Sequence, residues 1–136
     1  HTHIDITDLP KTTLALTGNY DAIYLLAARA DVNDVYANPV AAGEINALAV
    51  VNVLEAARRN GIPRVILAST VWLYEMAITE EVTEETPLLP HRVNHVYTAA
   101  KLGAELFCHA YHKLYAQNVT ILRFIHRYRH RFSTIG

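Results

Sequence analysis

Cysteine is nearly absent from this chain. Cys108 is the single one, so no intrachain disulfide can form, and a reducing setting is expected. It sits in the apolar-rich run Leu106 to Tyr111, which predicts a thiol buried by packing rather than a reactive one. An excess of one charge is missing too. Twelve Lys and Arg against thirteen Asp and Glu leave a formal net charge of −1. No bulk attraction to nucleic acid or to an anionic membrane is predicted, and no nucleic-acid motif is present. No run approaches the roughly 18 apolar residues of a spanning helix. The opening stretch, His1 to Asp8, lacks the basic and apolar sections of a signal peptide. The expectation is no membrane, no export and a cytoplasmic location. At 136 residues the chain is long enough for one compact domain and short for two. No internal repeat or second-domain boundary interrupts it.

What is present is an alternation of strand-like and helix-like segments. Thr2 to Ile6 reads as a short strand, and Asp8-Leu9-Pro10 as a helix N-cap followed by an early proline, with a stop near Gly18. Asp21 to Ala27 is a continuous apolar run, which predicts a strand buried on both faces of a parallel sheet. Glu44 to Arg59 carries a wide apolar stripe and ends at Asn60-Gly61 before Pro63, a helix with its C-terminal signal. Val65 to Ala68 is the next buried strand. The segment from Glu75 to Pro90, with five glutamates and two prolines, reads as a polar loop outside the core. Tyr97 to Gln117 is a second long helix and Val119 to Phe124 a further strand. The fold class predicted is α/β, Rossmann-like, with a mostly parallel sheet and flanking helices. Active groups of such sheets gather beyond the carboxyl ends of the strands. Ala27-Ala28, Ser69-Thr70 and His126 fall at such ends.

Tyr97 and Lys101 are four apart on a predicted helix and share a face. A free tyrosine, with a pKa of about 10, is a poor base at neutral pH, and bringing it to about 7 takes roughly 4 kcal/mol of preferential stabilisation of the phenolate. An adjacent ammonium and a positively charged nicotinamide ring would together supply that, because opposite charge favours the ionised form. Thr70, beyond a strand end, can orient a substrate hydroxyl and share its proton with Tyr97.

In this order the segments resemble the extended short-chain dehydrogenase/reductase family, especially its nucleotide-sugar epimerases. The segments are D-I-T-D at 5–8, Y-D-A-I-Y-L-L-A-A at 20–28, N-P at 38–39, E-I-N-A-L-A-V-V-N-V-L-E-A-A-R at 44–58, R-V-I-L-A-S-T-V-W-L-Y at 64–74, P-L-L-P at 87–90, Y-T-A-A-K at 97–101 and L-R-F at 122–124. The resemblance implies NAD as cofactor, with NADP not excluded, a nucleotide sugar as substrate, and reversible hydride transfer in an epimerase or dehydrogenase. It implies that Tyr97 is the catalytic acid or base, that Lys101 lowers its pKa and holds the nicotinamide ribose, and that Thr70 completes the set beside Ser69. Asp5 and Ile6 would lie along the adenine, and Leu26, Ala27 and Ala28 would let the cofactor approach the backbone. Asn46 would tie neighbouring backbone together. A homodimer is implied, formed through the helices at 44–59 and 97–117.

The departures carry expectations of their own. Sugar 4,6-dehydratases place an Asp-Glu pair after the threonine, where this chain has Val71 and Trp72, so epimerase or dehydrogenase is preferred. No G-x-x-G-x-x-G turn is present, and the series runs from what would be the third strand to the sixth. Residues 1–136 are therefore expected to form a single partial Rossmann-like domain without the N-terminal glycine-rich unit and the C-terminal substrate region. Glu75 stands where the family has glycine, and His126, a candidate substrate-binding residue, where it has asparagine. The basic cluster Arg123, Arg127, Arg129 and Arg131 invites phosphate binding. No metal site is expected, since His109 and His112 offer only two ligands and arginines separate His126 from His130. The competing reading is a catalytically silent α/β module acting in packing or protein interaction.

Overall fold

The computed structural model describes residues 3–124; His126 and the arginines at 127, 129 and 131 lie outside them. Three parallel strands form the sheet: β1 (Ile23–Leu25), β2 (Arg64–Thr70) and β3 (Asn118–Phe124), in the order β1-β2-β3. The register aligns Leu25 with Leu67 and Leu67 with Ile121. Two helices connect the strands, α4 (Ala49–Arg59) before β2 and α5 (Val96–Tyr115) before β3. Both pack on one face of the sheet, where Val50, Val53, Leu54, Ala57, Ala104 and Cys108 meet Leu25, Val65 and Leu67. This is the α/β parallel arrangement expected of alternating segments.

The other face explains a difference from the sequence reading. Tyr24, Leu122 and Phe124 belong to it by register, and Tyr24 is 68% exposed. The apolar run of β1 is thus buried on one side only among the described residues, and only three of its residues pair. No strand forms over residues 3–6 either. The Asp5 carbonyl accepts from the Asp8 amide at 3.1 Å and the Ile6 carbonyl from Asn52 Nδ2 at 3.0 Å, which turns the chain into α1 (Leu9–Ala15). Asp8 caps that helix through the Lys11 amide and Pro10 lies in its first turn, but it stops three residues before Gly18.

Ahead of α4 the helical path starts earlier than periodicity indicated. A short helix α2 (Val32–Ala37), capped by Asp31, and α3 (Pro39–Gly43) lead into a π-helical turn at Glu44–Leu48. By length and composition alone the run Pro39–Arg59 could cross a membrane, which the sequence reading had not expected. Part of its apolar surface goes into the core, with Ala42, Ala49, Val50, Val53 and Leu54 buried, while Val40 and Leu48 are exposed. The end of α4 is as the sequence predicted. Gly61 takes φ +67°, and Ile62 donates to the Ala57 carbonyl at 2.9 Å, a closure that favours glycine. The expected polar loop begins with a 3₁₀ turn at Val71–Met76, and Met76 and Ala77 are buried. Here two apolar side chains outweigh the charge of the surrounding segment.

Candidate functional site

Because all three strands are parallel, their carboxyl ends share one edge of the sheet. Leu26, Ala27 and Ala28 leave β1 there, exposed. Ser69 and Thr70 end β2, and α5 begins against them. The first turn of α5 is fixed by His95, whose Nδ1 accepts from the Tyr97 amide at 3.0 Å, while Thr70 Oγ1 accepts from the Trp72 amide at 3.2 Å and so caps the 3₁₀ turn. Trp72 stands edge-on to both His95 and Tyr97, with ring centroids 6.4 and 6.0 Å away.

Tyr97 and Lys101 are brought together as the four-residue spacing requires. The Lys101 ammonium lies 5.9 Å from the Tyr97 ring centre and donates to the Ala68 carbonyl at 2.8 Å. Lys101 is 3% exposed. Burial pushes its pKa below the usual lysine value, against the opposing pull of the Glu105 charge. Burial also raises the Tyr97 phenol, and the nearby Thr70 works in the other direction. Trp72 lies between Thr70 and Tyr97, with its amide on Thr70 Oγ1 and its ring edge-on to Tyr97. Desolvation, which disfavours the charged form, is the larger influence on Tyr97.

Asp5 and Ile6 lie in the turn before α1, which α4 holds through Asn52 Nδ2 bonds to the Ile6 and Thr7 carbonyls. The Asp5 carboxylate is exposed, and the Thr7 amide and hydroxyl both bond its Oδ1, at 2.9 and 2.7 Å. Those bonds hold its pKa below the usual carboxylate value. Asn46, in the π-helical turn, clasps the loop after β1: its Oδ1 accepts from the Arg29 amide and its Nδ2 donates to the Arg29 carbonyl, each at 2.8 Å. Arg29 in turn forks onto Asp34.

Glu105 was not singled out by sequence. It receives Ser69 Oγ at 2.6 Å and Arg123 at 3.0 and 2.7 Å. The signal that could have found it is its position four residues beyond Lys101 on the same face. Arg123 is therefore engaged by the buried Glu105 carboxylate and by the Tyr74 ring, 4.9 Å away; the other arginines of its basic cluster lie outside the described residues. An open groove of about 860 Å³ runs beside it, lined among others by Tyr74, Thr83, Glu105 and Phe124. His112 Nδ1 is engaged with the Gln117 carbonyl at 3.0 Å.

The chain is 34% identical over 125 residues to a UDP-glucuronate 4-epimerase of Thermodesulfobacterium geofontis, covering 89% of this chain and 37% of that protein. It is 32% identical over 120 residues to a dTDP-glucose 4,6-dehydratase of Mycobacterium tuberculosis, covering 86% and 35%. Among solved structures, it superposes on a dTDP-glucose 4,6-dehydratase of Streptomyces venezuelae with NAD and TYD bound, with a TM-score of 0.79, 34% identity, and 89% and 36% of the two chains covered. It superposes on a Thermus thermophilus UDP-glucose 4-epimerase in complex with NAD with a TM-score of 0.75, 26% identity, and coverage of 88% and 39%. The chain spans little more than a third of the length of these relatives. Residues 1–133 match the family described as NAD dependent epimerase/dehydratase, and with the parallel sheet and the Tyr97–Lys101 pair at its carboxyl edge the chain belongs to that family.

Proposed function

We propose that this chain supplies the proton-handling part of an NAD-dependent epimerase or dehydrogenase that acts on a nucleotide sugar. The observation that carries the reading is the Tyr97–Lys101 pair at the carboxyl edge of the sheet, where Thr70 ends β2. The residues present fit the cofactor. Both Thr7 bonds to Asp5 fall on Oδ1, so Oδ2 would serve to accept from an adenine amino group. Ala27 and Ala28 are small and exposed, with Leu26 before them, and give a dinucleotide room to approach the backbone. An ammonium has three donors. Lys101 spends one on Ala68, leaving two for ribose hydroxyls.

When bound, NAD supplies the hydride acceptor and donor. Tyr97 takes the proton from a sugar hydroxyl that Thr70 orients, and returns it when the carbonyl is reduced. Lys101 favours the phenolate by its charge. Ser69 holds the strand end beside Thr70. Val71 and Trp72 have no group able to transfer a proton during water elimination, which favours epimerase or dehydrogenase over dehydratase chemistry. His126, outside the described residues, is proposed as a substrate-binding residue on the resemblance alone. NADP is a second possible cofactor, and a cytoplasmic homodimer formed through α4 and α5 completes the reading; Leu48 and Leu106, 58% and 59% exposed, support that surface.

The test is turnover of nucleotide sugars by the complete protein, with NAD binding followed by calorimetry. Tyr97→Phe is expected to lower turnover by about 10²- to 10⁴-fold, the usual size of a general acid–base contribution, with NAD affinity nearly unchanged. Full turnover in that variant would overturn the assignment. The silent module is the second reading, favoured by one observation: burial moves Tyr97 up and Lys101 down, away from a tuned base. Absence of both NAD binding and turnover would decide for it.

A further inference from the structure

Glu105 is 2% exposed and lies on α5 one turn beyond Lys101 and two beyond Tyr97. Its Oε1 accepts from Ser69 Oγ at 2.6 Å and from Arg123 Nε at 3.0 Å, and its Oε2 from Arg123 Nη2 at 2.7 Å. One carboxylate therefore joins the ends of β2 and β3 to the helix that carries the Tyr97–Lys101 pair. Stability alone is a weak reason for such an arrangement, because buried ion pairs are often replaced by apolar residues at no loss. The surroundings supply a better one. Lys101 has left water, with the Ala68 carbonyl as its partner at 2.8 Å.

We propose that Glu105 is a positioning residue: it locks the Ser69–Thr70 strand end against α5 and sets a fixed negative charge opposite the Lys101 ammonium, with Arg123 metering that charge. This role rests on the proposed assignment of Tyr97 and Lys101. The titratable and charged groups around Lys101 are Tyr97 and Glu105 on its own helix and, behind Glu105, Arg123 on β3, itself against Tyr74 of the 3₁₀ turn; β2 presents the Ala68 carbonyl. The Glu105 charge favours the protonated amine while burial opposes it.

The chain has only three lysines, Lys11, Lys101 and Lys113, so selective lysine labelling gives a simple NMR titration in which Lys101→Met identifies the resonance. Glu105→Gln is expected to lower the Lys101 midpoint. Arg123→Gln, which frees the carboxylate from its neutralising partner, is expected to raise it. A purely structural role would loosen the same contacts in both variants and move Lys101 in one direction. Shifts of the same sign, or an unmoved Lys101, would overturn the proposal. Should Glu105→Gln fail to fold, the double variant with Arg123→Gln removes both members of the ion pair together and is expected to show the same downward shift. The titration needs neither NAD nor turnover, so its outcome is separate from that of the activity test.

Discussion

Asn46 touches no reacting atom, yet the loop that follows β1 depends on it. Its side chain is fully buried and meets both the amide and the carbonyl of Arg29. Asn46→Ala would leave both backbone groups without that partner, and an unsatisfied buried polar group costs about 1–3 kcal/mol. Urea unfolding of the variant is expected to show a loss of that size with an unchanged denaturant slope; a loss below about 0.5 kcal/mol would mean that water replaces the amide. The resemblance had already given Asn46 this tying role from its place in E-I-N-A-L. Arg123 was read differently, as one of a row of basic residues, because sequence displays neighbours in the chain. Its partner Glu105 is eighteen residues away, and only the packing of α5 on β3 joins them. The same limit hid Ser69 as a donor to Glu105.

At the scale of elements, α4 was legible because it carries its own periodic stripe and the Asn60-Gly61 stop, whereas α5 ends without a glycine, at Ala116 with φ 54°. Boundaries were less so. The π-helical turn at Glu44–Leu48 has no sequence signature, and α2 is too short for periodicity to reveal. The outer face of α4 offers a prediction that needs no active site. Glu55 accepts from Arg58 at 2.8 Å and Arg59 at 2.7 Å, and these bonds lower its pKa from 4.5 to about 2. A carboxylate whose folded pKa is depressed adds stability that is whole above the unfolded value and fades as pH falls through the folded one. Both arginines are largely solvent-exposed, so the gain is small, about 0.5–1 kcal/mol. Glu55→Gln is expected to be less stable than the parent chain by that amount near neutral pH, with the difference closing as pH falls from 4.5 to about 2. Urea midpoints across that range would reveal it, and a constant difference would remove the charge from the explanation.

At the scale of the whole molecule, the main core cluster among the described residues lies on one side of the sheet, and Cys108 sits in it. The thiol is fully buried, and desolvation, with a smaller push from the Glu105 charge, raises its pKa to about 12. It should resist a thiol-reactive disulfide reagent in native buffer and react only as the chain opens globally, which makes it a reporter of unfolding. Rapid labelling of a chain that still melts cooperatively would show that α5 detaches on its own. Burial of this cysteine was expected from the apolar run around it.

What the sequence by itself determined was local: the helices read at 44–59 and 97–117, the Asp8 cap, the Gly61 closure, the parallel α/β class, and the pairing of Tyr97 with Lys101 by helical spacing. These follow from backbone geometry and nearest-neighbour chemistry, which short stretches of chain contain in full. Only the tertiary structure decided which face of the sheet is covered, that Met76 and Ala77 leave the polar loop for the interior, that Asn46 clasps Arg29, and that Glu105 gathers Ser69 and Arg123 behind Lys101. Each of these is set by groups distant in sequence meeting where water is excluded. Burial and hydrogen-bond partners in that setting are properties of the packed arrangement, so they become definite only once the helices lie on the sheet.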